Sequence, residues 1–129
     1  MTDRVAAVRQ VYDAFGAGDG ARLAELLADT HWVEAPGMPY GGVYRGKDSI
    51  RRGIQAVVGE YWDDFAYEIE AITYGEEYVM AYGRFSATAK KSRKKVSFHL
   101  AEVWKIRDGR VLLVHPVYGD TKAAAEALS

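Results

Sequence analysis

The sequence predicts an α+β domain in which helices cover one face of a curved, mainly antiparallel sheet, and three observations predict it. Apolar residues recur at helical spacing through the first half, long strand-like runs fill the second half, and the last two runs meet at Asp108-Gly109. Helices followed by a meander indicate segregated layers around one core. At 129 residues, 49% of them hydrophobic, the chain can bury one core and is too short for two ordinary domains. Residues 1–129 are therefore read as one domain.

Val5, Val8, Val11, Tyr12 and Phe15 share a helical face, with Thr2 placed to cap it and Gly16 and Gly18 ending the pattern. Asp19 is placed to cap a second, shorter helix whose Leu23, Leu26 and Leu27 form one stripe. His31–Glu34 reads as a short strand, residues 36–42 as a loop rich in Pro and Gly, and Val43–Arg45 as a brief strand. Ile50, Ile54, Val57, Val58 and Tyr61 keep the spacing of a third helix with one buried face, and Asp48 suits its first turn.

Four longer strands follow over Phe65–Tyr74, Tyr78–Ala89, Val96–Arg107 and Arg110–Tyr118, with an Ala-rich helical tail over Thr121–Leu128. Asp108-Gly109 is the dipeptide that a two-residue type I′ hairpin asks for. Counting outward from that loop pairs Ile106 with Val111, Trp104 with Leu113 and Glu102 with His115. A carboxylate opposite an imidazole on a mostly apolar face is a candidate acid/base pair, and equally a structural ion pair. Plain alternation leaves Asp120 on the other face. Pro116 lacks the N–H that a ladder position donates, so it suggests a one-residue bulge, which would return Asp120 to the face of Glu102 and His115.

Neither face of this sheet is cleanly polar. Tyr78, Met80 and Tyr82 alternate with Val79, Ala81 and Phe85, while Ala101, Val103, Leu112 and Val114 fall on the side away from Trp104. A sheet apolar on both faces must bury both, and the helices cover one. A second copy of the chain is expected on the other, as a symmetric homodimer.

The formal net charge is −1, which provides no field for nucleic acid or an anionic membrane, so neither is an expected partner. The basic run Lys90–Lys95 reads as a solvated hairpin tip. With no cysteine and three scattered histidines, no metal site and no cofactor is predicted. Met-Thr-Asp-Arg leads directly into the first helix, and no apolar run approaches about 18 residues. The expected location is the cytoplasm.

Three segments carry a resemblance: Tyr12–Asp19; Trp32–Gly37 with Tyr40–Asp48; and Val103–Gly109 followed by Tyr118–Thr121. In their order and spacing the chain resembles the SnoaL-like, polyketide cyclase-like branch of the NTF2-like superfamily over nearly its whole length. The resemblance implies a cone, in which a curved sheet is wrapped by three N-terminal helices around an apolar pocket, usually in a dimer. That fold hosts polyketide cyclases, ketosteroid isomerases, dehydratases, epoxide hydrolases and proteins with no known reaction. In SnoaL-like cyclases an acid near the end of the last strand is the acid/base residue, and Asp120 matches that position. Two departures stand out. Glu102 occupies the place where related chains often carry the His of Phe-x-His-x-Trp, and the interval from Gly109 to Asp120 is one residue longer than usual.

The expected site follows. Asp120 transfers the proton, Glu102 and His115 orient it or form a second acid/base pair, and Tyr82 or Tyr118 donates to an oxyanion. Trp32, Trp62, Tyr82, Trp104 and Tyr118 line a cavity for a hydrophobic, carbonyl-bearing molecule, planar or polycyclic in shape. Glu34 shares the face of Trp32 and is read as a strand-end surface group ahead of a pocket acid; His31 and His99 are read as packing or interface residues. An apolar pocket raises a carboxyl pKa, which suits proton abstraction next to a carbonyl, as in ketosteroid isomerase. The function expected is cofactor-independent acid/base catalysis of the isomerase, cyclase or hydratase type. Its rival is a non-catalytic module for ligand binding or dimerisation. Catalysis led by Asp120 requires Asp120, Glu102 and His115 to open onto one cavity.

Overall fold

The computed structural model describes residues 2–129, and side chains for residues 4–53 and 59–129. α1 (Thr2–Ala17) and α2 (Gly20–Leu26) come first. Asp19 caps α2 as expected, its carboxylate accepting the Arg22 N–H at 3.0 Å; the side chain of Thr2 lies outside the described residues. β1 (His31–Glu34) and β2 (Gly42–Arg45) pair antiparallel. α3 (Gly46–Gln55) then runs into a π-helical stretch over Ala56–Tyr61, so the third helix leaves the 3.6-residue spacing in its second half. Ile50 is buried as expected, whereas the side chains of Ile54, Val57 and Val58 lie outside the described residues.

The meander consists of β3 (Trp62–Tyr74), β4 (Tyr78–Ala89), β5 (Lys95–Arg107) and β6 (Arg110–Tyr118), and α4 (Thr121–Ala127) closes the chain. The sheet order is β2-β1-β6-β5-β4-β3. A further pairing joins β1 to the meander: β1 lies parallel to β6, with His31 beside Leu113 and Trp32 beside Val114. That contact makes the sheet mixed and brings Trp32 and Glu34 onto the same inner face as β5 and β6.

The β5–β6 turn has Asp108 at φ 52° and Gly109 at φ 74°, the two positive values that a type I′ loop needs. Arg107 pairs with Arg110 and Ile106 with Val111, as counted from the loop. The register then slips. Lys105 pairs with Leu113, which leaves Leu112 as the extra residue of a bulge, and Trp104, Val103, Glu102 and Leu100 pair with Val114, His115, Pro116 and Tyr118. The bulge expected at Pro116 is thus located before His115. Pro116 needs none, because β1 pairs only as far as Val114 and leaves that edge of β6 free.

Period-two alternation then sorts the residues. β4 buries Val79, Ala81, Gly83 and Phe85 and exposes Tyr78, Met80, Tyr82 and Arg84. Inside, one cluster joins α1 and α2 to the sheet through Val8, Val11, Leu27, Val79, Trp104 and Val114. A second cluster, with Trp62, Phe85, Phe98 and Leu100, packs under Ala124 and Ala127 of α4. Val114, expected on the far side from Trp104, is in the core beside it because of the bulge. The outer face remains open, with Met80 49%, Tyr82 47% and Val117 47% exposed. Among the described residues no helix is long and apolar enough to cross a membrane.

Candidate functional site

A cavity of about 90 Å³ opens between the helices and the inner face of the sheet, bordered by residues of both clusters. α1 contributes Tyr12 and Phe15, and β1 contributes Trp32 and Glu34. Glu102 comes from β5, with Pro116 and Tyr118 beside it on β6. Phe65, Tyr67, Phe85 and Leu100 complete the wall. Such a volume admits water or a body of a few heavy atoms, and is below the roughly 150 Å³ of an engineered apolar cavity that binds benzene. A polycyclic ligand, as expected from the aromatic content, exceeds it.

Two carboxyl groups meet this cavity. Glu34 Oε1 accepts the Trp32 indole N–H at 2.9 Å, and Oε2 accepts the Tyr118 hydroxyl at 3.2 Å. The Tyr118 and Tyr40 hydroxyls lie 2.7 Å apart, and the Trp62 indole N–H donates to the Tyr40 oxygen at 3.1 Å. With Glu34 ionised, Tyr118 spends its hydrogen on the carboxylate, so Tyr40 is the donor between the two tyrosines. A one-way chain results, Trp62 to Tyr40 to Tyr118 to Glu34, with every donor used. Glu102 is held differently. Its Oε1 accepts the Tyr12 hydroxyl at 2.6 Å, while its Oε2 has no hydrogen-bond partner among the described residues.

Burial pushes Glu34 up from 4.5 to about 7, against the lowering effect of the Trp32 and Tyr118 donors. Burial likewise pushes Glu102 up to about 7, opposed by the Tyr12 donor and reinforced by the charge of Glu34. Both carboxyls are therefore raised towards neutrality, and the charge of Glu34 adds to the rise at Glu102. The Tyr12 and Tyr118 hydroxyls are driven far above the ordinary range, first by burial and then by the adjacent carboxylates, so both stay protonated donors. Burial raises Tyr40 to about 12.

Of the expected site residues, Trp32, Glu102 and Tyr118 line the cavity. The others stand elsewhere. His115 lies opposite Val103 on the outer face, since the Leu112 bulge flips parity before it. That same flip gives Asp120 the parity of Glu102, but the strand ends first. The Gly119 N–H donates to the His99 carbonyl at 2.9 Å, and a Cβ there would sit 2.4 Å from that oxygen. Asp120 then caps α4, its carboxylate accepting the Ala123 N–H at 2.9 Å in an exposed position. Tyr82 is on the outer face, stacked on His99 with centroids 4.8 Å apart, and His99 Nε2 lies 2.7 Å from Glu70 Oε2. Trp104 is core, edge-on to Tyr12 at 5.5 Å, and Trp62 is core as well, reaching the site only through its N–H.

Glu34 and Tyr12 are the residues undervalued in the sequence. Alternation already places Glu34 on the face of Trp32; what is not local is the parallel β1–β6 contact that buries it. Tyr12 looks like another core residue of α1, and only its approach to Glu102, 90 positions away, gives it a polar role. Among the described residues no group of three or more His, Cys, Asp or Glu is placed to hold a metal ion.

The profile of the SnoaL-like domain family matches residues 8–114. None of the curated proteins matches this sequence. Among solved structures, an NTF2-like protein from Burkholderia thailandensis E264 is 28% identical, with a TM-score of 0.87 over 98% of this chain and 97% of that one. An NTF2-like protein of unknown function from Burkholderia pseudomallei K96243 is 22% identical, with a TM-score of 0.89 over 100% and 99%. A protein with a ketosteroid isomerase-like fold from Catenulispora acidiphila DSM 44928, solved in complex with trimethylamine, is 16% identical, with a TM-score of 0.74 over 95% and 91%. The α+β cone is thus an NTF2-like fold.

Proposed function

The chain belongs to the SnoaL-like domain family, and on that premise we propose that it catalyses proton transfer on a small, mostly apolar, carbonyl-bearing molecule, in an isomerase, cyclase or hydratase type of step. The observation that carries this reading is the convergence of Glu34 and Glu102, both held near pKa 7, on one apolar cavity. General acid/base catalysis works best when the catalytic pKa lies near the working pH.

With one proton on the pair, hydrogen bonding decides where it sits. Glu34 has two donors that stabilise its anion, while Glu102 has one donor and feels the charge of Glu34. Glu34 is therefore the base and Glu102 the acid. Glu34 takes the proton α to the carbonyl, the C–H electron pair moves into the new enol double bond, and Glu102 delivers its proton to the carbonyl oxygen. The pair keeps one proton and one charge throughout, so both the acceptor and the donor are supplied by this chain's own side chains.

The test is exchange of α-protons in a panel of small ketones in deuterated buffer, followed by proton NMR. Exchange should be accelerated by the native protein and fall about 10²–10⁴-fold in Glu34→Gln and in Glu102→Gln. A ketone shown to bind in the cavity, yet exchanging no faster than in buffer, would mean that the domain is a binding module.

The open outer face supports a second proposal, a homodimer that covers Met80, Tyr82, Ala101, Val103 and Val117. Light scattering at micromolar concentration reports it directly, and a strict monomer there defeats it.

A further inference from the structure

We propose that the cavity seats a compact organic cation, a tertiary or quaternary alkylammonium group, against Glu102 Oε2. This rests on the cavity being the binding site and does not depend on proton transfer.

Among the described residues the cavity's two carboxyl groups have no countercharge. No Lys, Arg or His among the described residues lines the cavity, and every ion pair among them involves other carboxylates than Glu34 and Glu102. Buried carboxylates without a cation are costly unless something supplies one. Glu102 Oε2 is the one cavity-lining carboxylate oxygen with no hydrogen-bond partner among the described residues, in a side chain that is partly buried. An anionic ligand would add to the existing charge; a cation would offset it.

The rest of the wall narrows the class of cation. Seven of its eleven described residues are aromatic, and ring faces attract alkylammonium groups. A primary ammonium needs three acceptors, and this wall presents little beyond Oε2, so an alkylated, weakly hydrated ammonium fits better. The volume of about 90 Å³ limits the group to a few heavy atoms. The titratable groups facing the pair are Tyr12 from α1, Tyr44 from β2, Tyr67 from β3, Tyr118 from β6 and Tyr40 behind it, all raised by burial and all neutral near pH 7. The carboxyl pair alone then changes charge, so cation binding should expel its proton and tighten as pH rises.

Calorimetry with choline, tetramethylammonium and 3,3-dimethyl-1-butanol, the neutral carbon isostere of choline, separates charge from shape. At pH 8 choline should bind at least 10-fold more tightly than the isostere; at pH 6 that preference should shrink, and paired buffers of different ionisation enthalpy should report proton release. Glu102→Gln should abolish the preference, and Asp120→Ala, outside the cavity, should retain it. The proton-release measurement needs only the native chain, so a poorly folding variant leaves the proposal exposed to refutation. Isostere binding as tight as choline, or choline binding without proton release, overturns it. Ketone exchange without a cation preference removes this proposal and keeps the catalytic one; a cation preference without exchange does the reverse.

Discussion

The two faces of β5 make the most instructive comparison in this molecule. Leu100, Glu102 and Trp104 point into the cone, while Ala101, Val103 and Lys105 point out, each one residue away in sequence. Glu102, inside, is a carboxyl held near neutrality by burial. Glu70 of the neighbouring β3, outside, is half-exposed and pairs with His99 of β5 at the surface. The same side-chain chemistry thus has two fates, and the partition across β6 is set by one extra residue, Leu112. The bulge sends His115 out and brings Pro116 and Tyr118 in, so the inner face acquires a carboxyl–hydroxyl network in place of a carboxylate–imidazole pair.

Inserting one alanine after Val114 attacks that partition and should have the largest effect. The inserted residue takes the place opposite Val103, and every β6 residue after it changes face, placing His115 opposite Glu102 and turning Pro116 and Tyr118 outward. A loss of several kcal/mol in denaturant unfolding is expected. Full stability with an intact cavity would show that the register is set elsewhere.

A smaller effect, dependent on pH, belongs to Glu102→Gln. The folded chain keeps protons on Glu34 and Glu102 between about pH 4.5 and 7 that the unfolded chain has released. Stability from these groups is therefore present at acid pH, falls as pH rises through that window and is flat above it. A shift from 4.5 to about 7 corresponds to roughly 3 kcal/mol at most. Glu102→Gln should then raise stability by about 1–3 kcal/mol at pH 8 and change little at pH 5. Equal effects at both pH values would contradict the near-neutral pair.

Asp120→Ala should have the smallest effect. Loss of the α4 cap should cost about 1 kcal/mol and leave ketone exchange at the native rate, because the carboxylate holds the Ala123 N–H outside the cavity. A drop in exchange comparable with that of Glu34→Gln would return Asp120 to the site.

What the sequence determined by itself is what short-range physics controls. Helical spacing in α1 and α2, strand alternation, the Asp19 cap, the Asp108-Gly109 turn and the four-strand meander all depend on neighbours within a few residues, and the structure has each of them. The family resemblance is legible for the same reason, since it rests on local segments in order. The tertiary structure decided the chemistry. Whether Leu112 or Pro116 carries the bulge depends on where the parallel β1 stops pairing, a contact spanning some 80 positions. Asp120 has the sequence position of an acid but a capping role, since the chain turns at Gly119 before the strand can present it. Glu34 and Tyr12 acquire their roles from Tyr118 and Glu102, partners 84 and 90 positions distant. Burial is a property of the packed assembly, and for these carboxyls burial is the largest cause of the raised pKa.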